Sequence, residues 1–377
     1  MDIKLFKMDF GESLLITQNN EECLLVDCGS EGTKKLKFFQ AVENEIQFIN
    51  SRKALLTHFH EDHINGFIDI TTRNIGWFDT VYIPYIFTVG NHPNAVDFAL
   101  IQYILERYTC AGSRKLSVWD LLKLLVKSDK SIKLLQREKD AFQLFGKNVN
   151  VLWPVPNMLV DEKLWNSVKK ELPILNEYEN QIFSVSDQIS REYLSLEESR
   201  GDYTDSEGIE SIGNQLDEID LIFGSQLPER ETQNIIRKLR QKANETSIVC
   251  QIDAGKPTLL TGDITSKIMK GIAENKYAPS IPLFDYYYAI KAPHHGTQTH
   301  YFNFGPFTRW EKLLISNGVT RKKKRGKITC QYNLKSRNYA IICTNDAPWR
   351  CECFGSCVGK CANPNDICGC KSNYILL

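Results

Sequence analysis

The sequence lacks any uninterrupted apolar run of about 18 residues, which is the length that a helix needs to cross a membrane. Residues 1–7 carry charges where a secretory signal peptide would have its apolar core. We therefore expect no membrane partner and a cytoplasmic location. Net charge is absent as well, because 46 basic residues balance 46 acidic ones. Any surface for nucleic acid must then be local.

Histidine is scarce, with seven residues in 377, yet three of them lie between His58 and His63. Residues 54–56 predict a buried strand that stops at these histidines, and Gly66 indicates a turn after them. Three unrelated surface histidines would rarely cluster this closely. Imidazoles beside the carboxylate of Asp62 suit Zn²⁺, Mn²⁺ or Fe²⁺. The cluster therefore predicts a metal site.

Polar residues also follow three other predicted strands. Asp27 ends the apolar run 24–26, Asp263 follows residues 258–262, and His294-His295 follow residues 288–292. A carboxylate after an apolar strand is costly to bury unless it is paired or binds a metal. The repetition of this arrangement at four strand ends predicts a dinuclear site.

The remaining periodicity predicts both helices and strands. Helical spacing predicts helices at 34–45, 95–108 and 118–134. The acidic stretch 160–245 indicates an inserted helical or partly disordered segment, which we interpret as a solvated surface excursion; a lid or a partner-docking arm is the alternative. Further strands are predicted at 3–8, 13–17, 81–85, 148–154, 247–252, 312–316 and 339–343.

The H-x-H-x-D-H pattern of residues 58–63 resembles the signature of the metallo-β-lactamase superfamily. The closest resemblance is to the subgroup that contains the metallo-β-lactamase domain of the bacterial competence DNA-uptake channel protein ComEC. The matching stretches are Phe10-Gly11-Glu12-Ser13-Leu14-Leu15-Ile16, Leu259-Leu260-Thr261-Gly262-Asp263-Ile264 and Pro293-His294-His295-Gly296-Thr297. The resemblance covers residues 1–84 and 244–318.

This resemblance implies an α+β four-layer αββα sandwich, which is the metallo-β-lactamase fold. The hydrolase domain would span residues 1–318 and contain a helical, acidic insertion at 85–245. A basic and cysteine-rich extension would occupy residues 319–377.

The resemblance also implies the ligands of two divalent metals, Zn²⁺ or Mn²⁺. His58 and His60 would bind one metal. Asp62 and His63 would bind the second, with His295 completing that site. Asp263 would bridge the two ions.

Other roles are implied in the same way. Asp27 would orient a ligand imidazole by a hydrogen bond. His294 would face the substrate as a proton donor or phosphate contact, which makes it a catalytic residue together with Asp62 and Asp263. The superfamily usually has a further histidine before the bridging aspartate. Here only His92 lies in that interval. Either His92 is a ligand, or the first site is weak, or the enzyme works with one tightly held metal.

Metal ions lower the pKa of bound water, so these residues favour a hydrolase that uses a metal-bound hydroxide. A phosphodiesterase or nuclease acting on DNA or RNA is the first hypothesis. A lactonase or phosphorylcholine-type esterase is the alternative, and an inactive scaffold is the third. A dense basic run could contact nucleic acid, or could equally form a solvated loop. It comprises Arg321, Lys322, Lys323, Lys324 and Arg325.

The C-terminal stretch 351–370 is rich in cysteine and poor in apolar residues, so disulfide bonds or bound metal would have to stabilise its fold. In a reducing compartment, structural zinc bound by thiolates is the favoured interpretation; disulfides or an iron–sulfur cluster are alternatives. This tail or the 160–245 insertion could bind a protein partner. The predicted zinc ligands are Cys351, Cys353, Cys357, Cys361, Cys368 and Cys370.

Overall fold

The computed structural model describes most of the chain. The described residues are 1–8, 11–31, 35–109, 118–128, 131–155, 160–199, 206–224, 229–316, 340–344 and 374–377.

The first of two mixed sheets contains seven strands within these residues. They are β1 (Asp2–Phe6), β2 (Leu14–Gln18), β3 (Glu22–Val26), β4 (Ser51–Leu55), β5 (Thr80–Pro84), β6 (Ser131–Leu135) and, near the C-terminus, β14 (Tyr374–Leu376). Their spatial order is β14-β1-β2-β3-β4-β5-β6. Pairing is antiparallel from β14 to β3 and parallel from β3 to β6.

The second sheet also contains seven described strands. They are β7 (Glu138–Leu144), β8 (Lys147–Trp153), β9 (Val249–Ile252), β10 (Thr258–Leu260), β11 (Tyr286–Lys291), β12 (Arg309–Ile315) and β13 (Ala340–Cys343). Their spatial order is β13-β12-β11-β10-β9-β8-β7. The strands from β7 to β10 pair antiparallel, and those from β10 to β13 pair parallel. The two described pieces of the predicted C-terminal extension, β13 and β14, thus each add an edge strand to one sheet.

Nine α-helices lie within the described ranges. They are α1 (Lys35–Ile46), α2 (Glu61–Arg73), α3 (Ala95–Thr109), α4 (Val118–Ser128), α5 (Glu162–Glu171), α6 (Leu175–Ser199), α7 (Ser206–Gly224), α8 (Glu229–Asn244) and α9 (Ser266–Ala273). The first two predicted helices are confirmed by α1 and α3. The described parts of the acidic stretch 160–245 are largely helical, in α5 to α8.

Buried side chains of the strands separate into three cores because successive residues of a strand point to opposite faces. In β3, Leu24 joins a core that also contains Val149 of the second sheet, whereas Leu25 joins the core that the helices α1 to α8 cover. In β10, Leu260 joins the shared core, and Leu259 packs in the core beside α9. Both sheets are therefore buried on both faces around the site.

The predicted helix at 118–134 is wrong in its C-terminal part. Helix α4 ends at Ser128, and the apolar residues that follow form β6. Ile132 of that strand pairs with Val81 of β5 in a parallel register. A short apolar run does not by itself distinguish a helix from a buried strand. Here the run forms a strand because its backbone hydrogen-bonds to β5 at the edge of the sheet.

The turn predicted at Gly66 is also wrong, because Gly66 lies inside α2. A Cβ atom at this position would lie 2.5 Å from the ring of Phe39 and 2.7 Å from Sγ of Cys28. The glycine therefore permits close packing of α2 against α1 and the end of β3, and does not serve as a turn residue.

Among the described residues, no helix is long and apolar enough to cross a membrane.

Candidate metal centre

The ends of β3 and β4 hold the first group of site residues. These strands run parallel with Val26 opposite Leu55, so both chains leave the sheet at the same edge. Asp27 follows β3 directly and has a positive φ of 53°. After β4, Thr57 and His58 precede His60, which is the residue before the first turn of α2.

Helix α2 places the next two residues. Asp62 and His63 lie in its first turn, where the backbone N–H groups favour a nearby carboxylate. The carbonyl of His63 accepts a hydrogen bond from the N–H of Cys28 at 2.7 Å, which ties the start of α2 to the chain after β3. The H-x-H-x-D-H pattern is thus part extended chain and part helix.

The second sheet supplies the other side of the site. Strands β10 and β11 are parallel neighbours, with Leu259 opposite Ile290. Asp263 follows β10, and Lys291 is the last residue of β11. His294 and His295 form a turn just beyond it, with positive φ angles of 45° and 55°.

The carboxylate of Asp263 lies at the centre of the site. Its Oδ2 is 2.9 Å from Nδ1 of His294 and 3.4 Å from Nε2 of His63. The same oxygen is 3.8 Å from Nε2 of His295 and 3.9 Å from Nε2 of His58. One buried oxygen therefore lies near nitrogens of four histidines contributed by both sheets.

Three of these imidazoles have their Nδ1 atoms engaged away from Asp263. Nδ1 of His63 donates to Oδ2 of Asp27 at 2.8 Å, and Nδ1 of His295 donates to the carbonyl of Ser316 at 2.8 Å. Thr57 donates its hydroxyl proton to Asp27, so its oxygen accepts from Nδ1 of His58 at 3.1 Å. When neutral, all three rings then present the Nε2 lone pair toward the centre, as metal ligands do.

His58 and His60 face each other at close range. Nε2 of His58 is 2.9 Å from Nδ1 of His60. Burial lowers the pKa of His60 to about 3, and burial with the nearby His63 and His60 holds the pKa of His58 well below its usual range. Both rings are therefore neutral at pH 7. Two nitrogens directed at each other without an added charge fit a shared cation.

Asp62 and His295 form a second close pair, with 3.4 Å between Oδ2 and Nε2. Burial raises the pKa of the Asp62 carboxyl, but the hydrogen bond from His295 and the charges of His63 and His295 outweigh it and hold that pKa well below its usual value. Asp62 is thus available as an ionised ligand.

The pKa values of His63 and Asp263 shift in opposite directions. Burial alone would lower the pKa of His63, but Asp263 and Asp27 raise it well above its usual value. The charges of His294, His63 and His295 hold the pKa of Asp263 far below normal despite its burial. A buried anionic oxygen surrounded by imidazoles fits divalent cations by charge and by ligand type.

Glu12 and Lys291 belong to the site but were not assigned a role from sequence. Both are fully buried and form an ion pair, and Nζ of Lys291 is 3.8 Å from Oδ1 of Asp263. Burial lowers the pKa of Lys291, but Glu12 and Asp263 more than offset this and raise it. The available signal was the lysine at the end of an otherwise apolar strand.

Glu12 also enlarges the set of candidate ligands. Ligand atoms of Glu12, His63, Asp263 and His295 all lie within 4.8 Å of one another. The backbone N–H of Glu12 donates to the carbonyl of Asp62 at 3.0 Å, which holds the loop before β2 against α2. Glu12 could therefore bind a metal or remain paired with Lys291.

His294 is more exposed than the other histidines around Asp263, with 26% of its side chain accessible. Its Nδ1 lies 3.0 Å from Nδ2 of Asn244. Its ring stacks on His300 at 4.2 Å between centroids. His294 is thus held at the opening of the site.

His92 does not join this group. Its Nδ1 is 2.8 Å from Asp97, and its Nε2 is 3.1 Å from Asp187 of α6. The ring also stacks on Phe183. With both nitrogens engaged by carboxylates, His92 ties α3 to α6. Trp153, the last residue of β8, donates its Nε1–H to the carbonyl of Glu245.

Two predictions lie outside the described residues. The zinc ligands proposed between Cys351 and Cys370, and the nucleic-acid contact at 321–325, stay predictions.

Comparison with known families matches residues 5–78 to the family described as Anti-Pycsar protein Apyc1. The matched range includes Glu12 and Asp27 together with the 58–63 cluster, and it covers about one fifth of the chain. A search of curated proteins found no match.

This match overturns the assignment to the metallo-β-lactamase superfamily and to the subgroup of the competence protein, neither of which it names. The H-x-H-x-D-H spacing only describes how residues of metal-ligand type are placed at a strand end and a helix start, so by itself it does not identify a family. The expectation of a nuclease acting on DNA or RNA is overturned by the same finding, which gives no support to a lactonase or esterase either.

Proposed function

We propose that this protein is a metal-dependent phosphodiesterase that hydrolyses cyclic nucleotides. The proposal is supported by the match to an anti-Pycsar family, since anti-Pycsar proteins degrade cyclic nucleotides. It would act as an antagonist of a defence system that signals with such nucleotides. The observation that carries the chemistry is the position of Asp263, whose Oδ2 lies 2.9–3.9 Å from four histidine nitrogens.

Two divalent metals, Zn²⁺ or Mn²⁺, fit the donor set. His58 and His60 would hold one ion, and Asp263 would contact both ions. The second ion would be held by Asp62, His63 and His295. Such ions supply a nucleophile from water at neutral pH and withdraw charge from the phosphoryl group.

The side chains around these ligands fix them before substrate binds. Asp27, Thr57 and the Ser316 carbonyl hold the Nδ1 protons of three imidazoles. Lys291, which is paired with Glu12, places its ammonium group 3.8 Å from the other carboxylate oxygen of Asp263. Preorganised ligands of this kind spare the enzyme a rearrangement during the reaction.

His294 would act on the substrate itself. It lies at the opening of the site and contacts Asp263, so a cyclic phosphate bound there would lie beside its ring. Hydrolysis adds water to phosphorus and breaks one ribose–phosphate bond, and the departing ribose oxygen needs a proton. His294 would donate that proton or hydrogen-bond a phosphate oxygen.

We also propose that the two sheets face each other in a four-layer αββα sandwich. The support is the core that both sheets share, with helices covering each outer face. Residues 1–318 would form the hydrolase domain, with the helices of the 85–245 insertion beside the site.

Hydrolysis of 3′,5′-cyclic nucleotides in Mn²⁺ or Zn²⁺ tests the function. The wild-type protein should release nucleoside monophosphate, and Asp263→Asn should lose at least about 100-fold in kcat because a neutral amide cannot join two cations. Asp253→Asn, at an exposed position after β9, is the matched control. A protein that binds metal but cleaves no cyclic nucleotide would refute the proposal.

A further inference from the structure

A cavity lies between α3 and α8 beside the metal centre. The empty space in and in front of it amounts to about 550 Å³, part of which is open solvent. Six of its aromatic and polar lining residues lie on α3 or just before α2. They are Phe59, His60, Phe98, Gln102, Tyr103 and Glu106.

His60 connects this cavity to the metal centre. Its Nδ1 faces His58 at 2.9 Å, whereas its Nε2 is buried and has no hydrogen-bond partner among the residues that the structure describes. A ring whose Nδ1 lone pair binds a cation carries its proton on Nε2. His60, at the wall of this cavity, therefore holds a buried donor without an acceptor among the described residues, and a buried donor without a partner is costly.

Gln102 and Glu106 are the polar residues of α3 in this lining, and their hydrogen bonds define how the Gln102 amide is oriented. Nε2 of Gln102 is 3.1 Å from Oε1 of Glu106, and Nε of Arg240 donates to the same oxygen at 2.7 Å. Because an ionised carboxylate only accepts hydrogen bonds, the Gln102 amide must turn its nitrogen toward Glu106. The Gln102 oxygen is then the acceptor that remains for a ligand, and the edges of the common nucleobases carry N–H donors.

We propose that this cavity receives the base of the cyclic nucleotide while its phosphate lies at the metal centre. This inference rests on the function proposed above. Flat aromatic side chains suit stacking of a base, and base–aromatic stacking is typically sequence-tolerant. The insertion would thus supply substrate recognition through α3 and α8, and His60 would contact both the metal and the substrate.

The experiment compares adenosine 3′,5′-cyclic phosphate with the 3′,5′-cyclic phosphate of 1-deoxyribose, which lacks only the base. The measured quantity is the ratio of their kcat/KM values. Ala99→Phe fills the cavity from α3, and Gln102→Leu removes the acceptor. Gln143→Leu, at an exposed position on β7, is the control. Thermal melts confirm that each variant is folded.

The wild type and the control should prefer the nucleotide. That preference should fall at least ten-fold in Ala99→Phe and about three- to ten-fold in Gln102→Leu, mainly through KM. If the wild type shows no preference for the base, or if folded Gln102→Leu and Ala99→Phe both keep the preference, the pocket assignment is wrong and the proposed function stands. Failure of the wild type to cleave either cyclic phosphate would overturn both proposals.

Discussion

Asp27 and His63 are joined by a hydrogen bond of 2.8 Å, although 36 residues separate them in the chain. Asp27 also accepts from the N–H and the hydroxyl of Thr57, each at 2.7 Å. One buried carboxylate thus orients His63 directly and His58 through Thr57.

Replacing this carboxylate should weaken metal binding without removing a ligand. Asp27→Asn is the suitable change, since asparagine tolerates the positive φ of this residue. The amide can direct its N–H at His63 and would then disfavour the required tautomer. We expect zinc affinity to fall about 10–100-fold, as for other partners of metal-bound histidines. Titration with a competing chelator measures it, and unchanged affinity would show that Asp27 does not orient the ligands.

The buried pair of Glu12 and Lys291 should affect stability in a non-additive way. Lys291→Met leaves two buried carboxylates, Glu12 and Asp263, without their ammonium partner and should cost about 3–5 kcal/mol in the free energy of unfolding. Adding Glu12→Gln should recover part of that loss. Urea unfolding of Lys291→Met and of the double variant tests this. If the two variants are equally destabilised, the proposed coupling between Glu12 and Lys291 is wrong.

Two helical glycines should respond in opposite directions to alanine. A Cβ at Gly66 would lie 2.5 Å from Phe39, so Gly66→Ala should cost about 1–3 kcal/mol by overpacking. At Gly213 in α7 the nearest atom would be Trp119 at 3.8 Å. There the higher helix propensity of alanine should stabilise the protein by up to about 1 kcal/mol. Chemical denaturation of both variants decides the point, and destabilisation at both positions would refute it.

His300 should make the metal-free protein sensitive to acid. Burial, helped by the nearby His294, lowers its pKa from 6.5 to about 4. The unfolded chain therefore binds a proton below pH 6.5 that the folded chain refuses, so stability is full above 6.5 and falls as the pH drops toward 4. His300→Gln should remove about 1–3 kcal/mol of this dependence. Unfolding curves at pH 7 and pH 4.5 in chelator measure the difference, and parallel pH profiles would contradict it.

The sequence by itself determined the histidines and aspartates of the site around Asp263. Histidines and aspartates at the ends of apolar strands are so costly to bury that they indicated a site before any fold was known. Strand patterns in the sequence also predicted most strands of the two sheets. Helical spacing predicted the ranges of α1 and α3.

Tertiary structure alone decided the rest. The partnership of Glu12 with Lys291 depends on a contact between residues 279 positions apart, which no local pattern reports. Strand β6 likewise depends on a contact that no local pattern reports, because its apolar residues form a strand by pairing with β5. His92 has the residue type of a metal ligand, but Asp97 and Asp187 engage both of its ring nitrogens, so it does not join the candidate metal centre. Residue type fixed which chemistry was available, whereas three-dimensional proximity fixed which groups could take part in it.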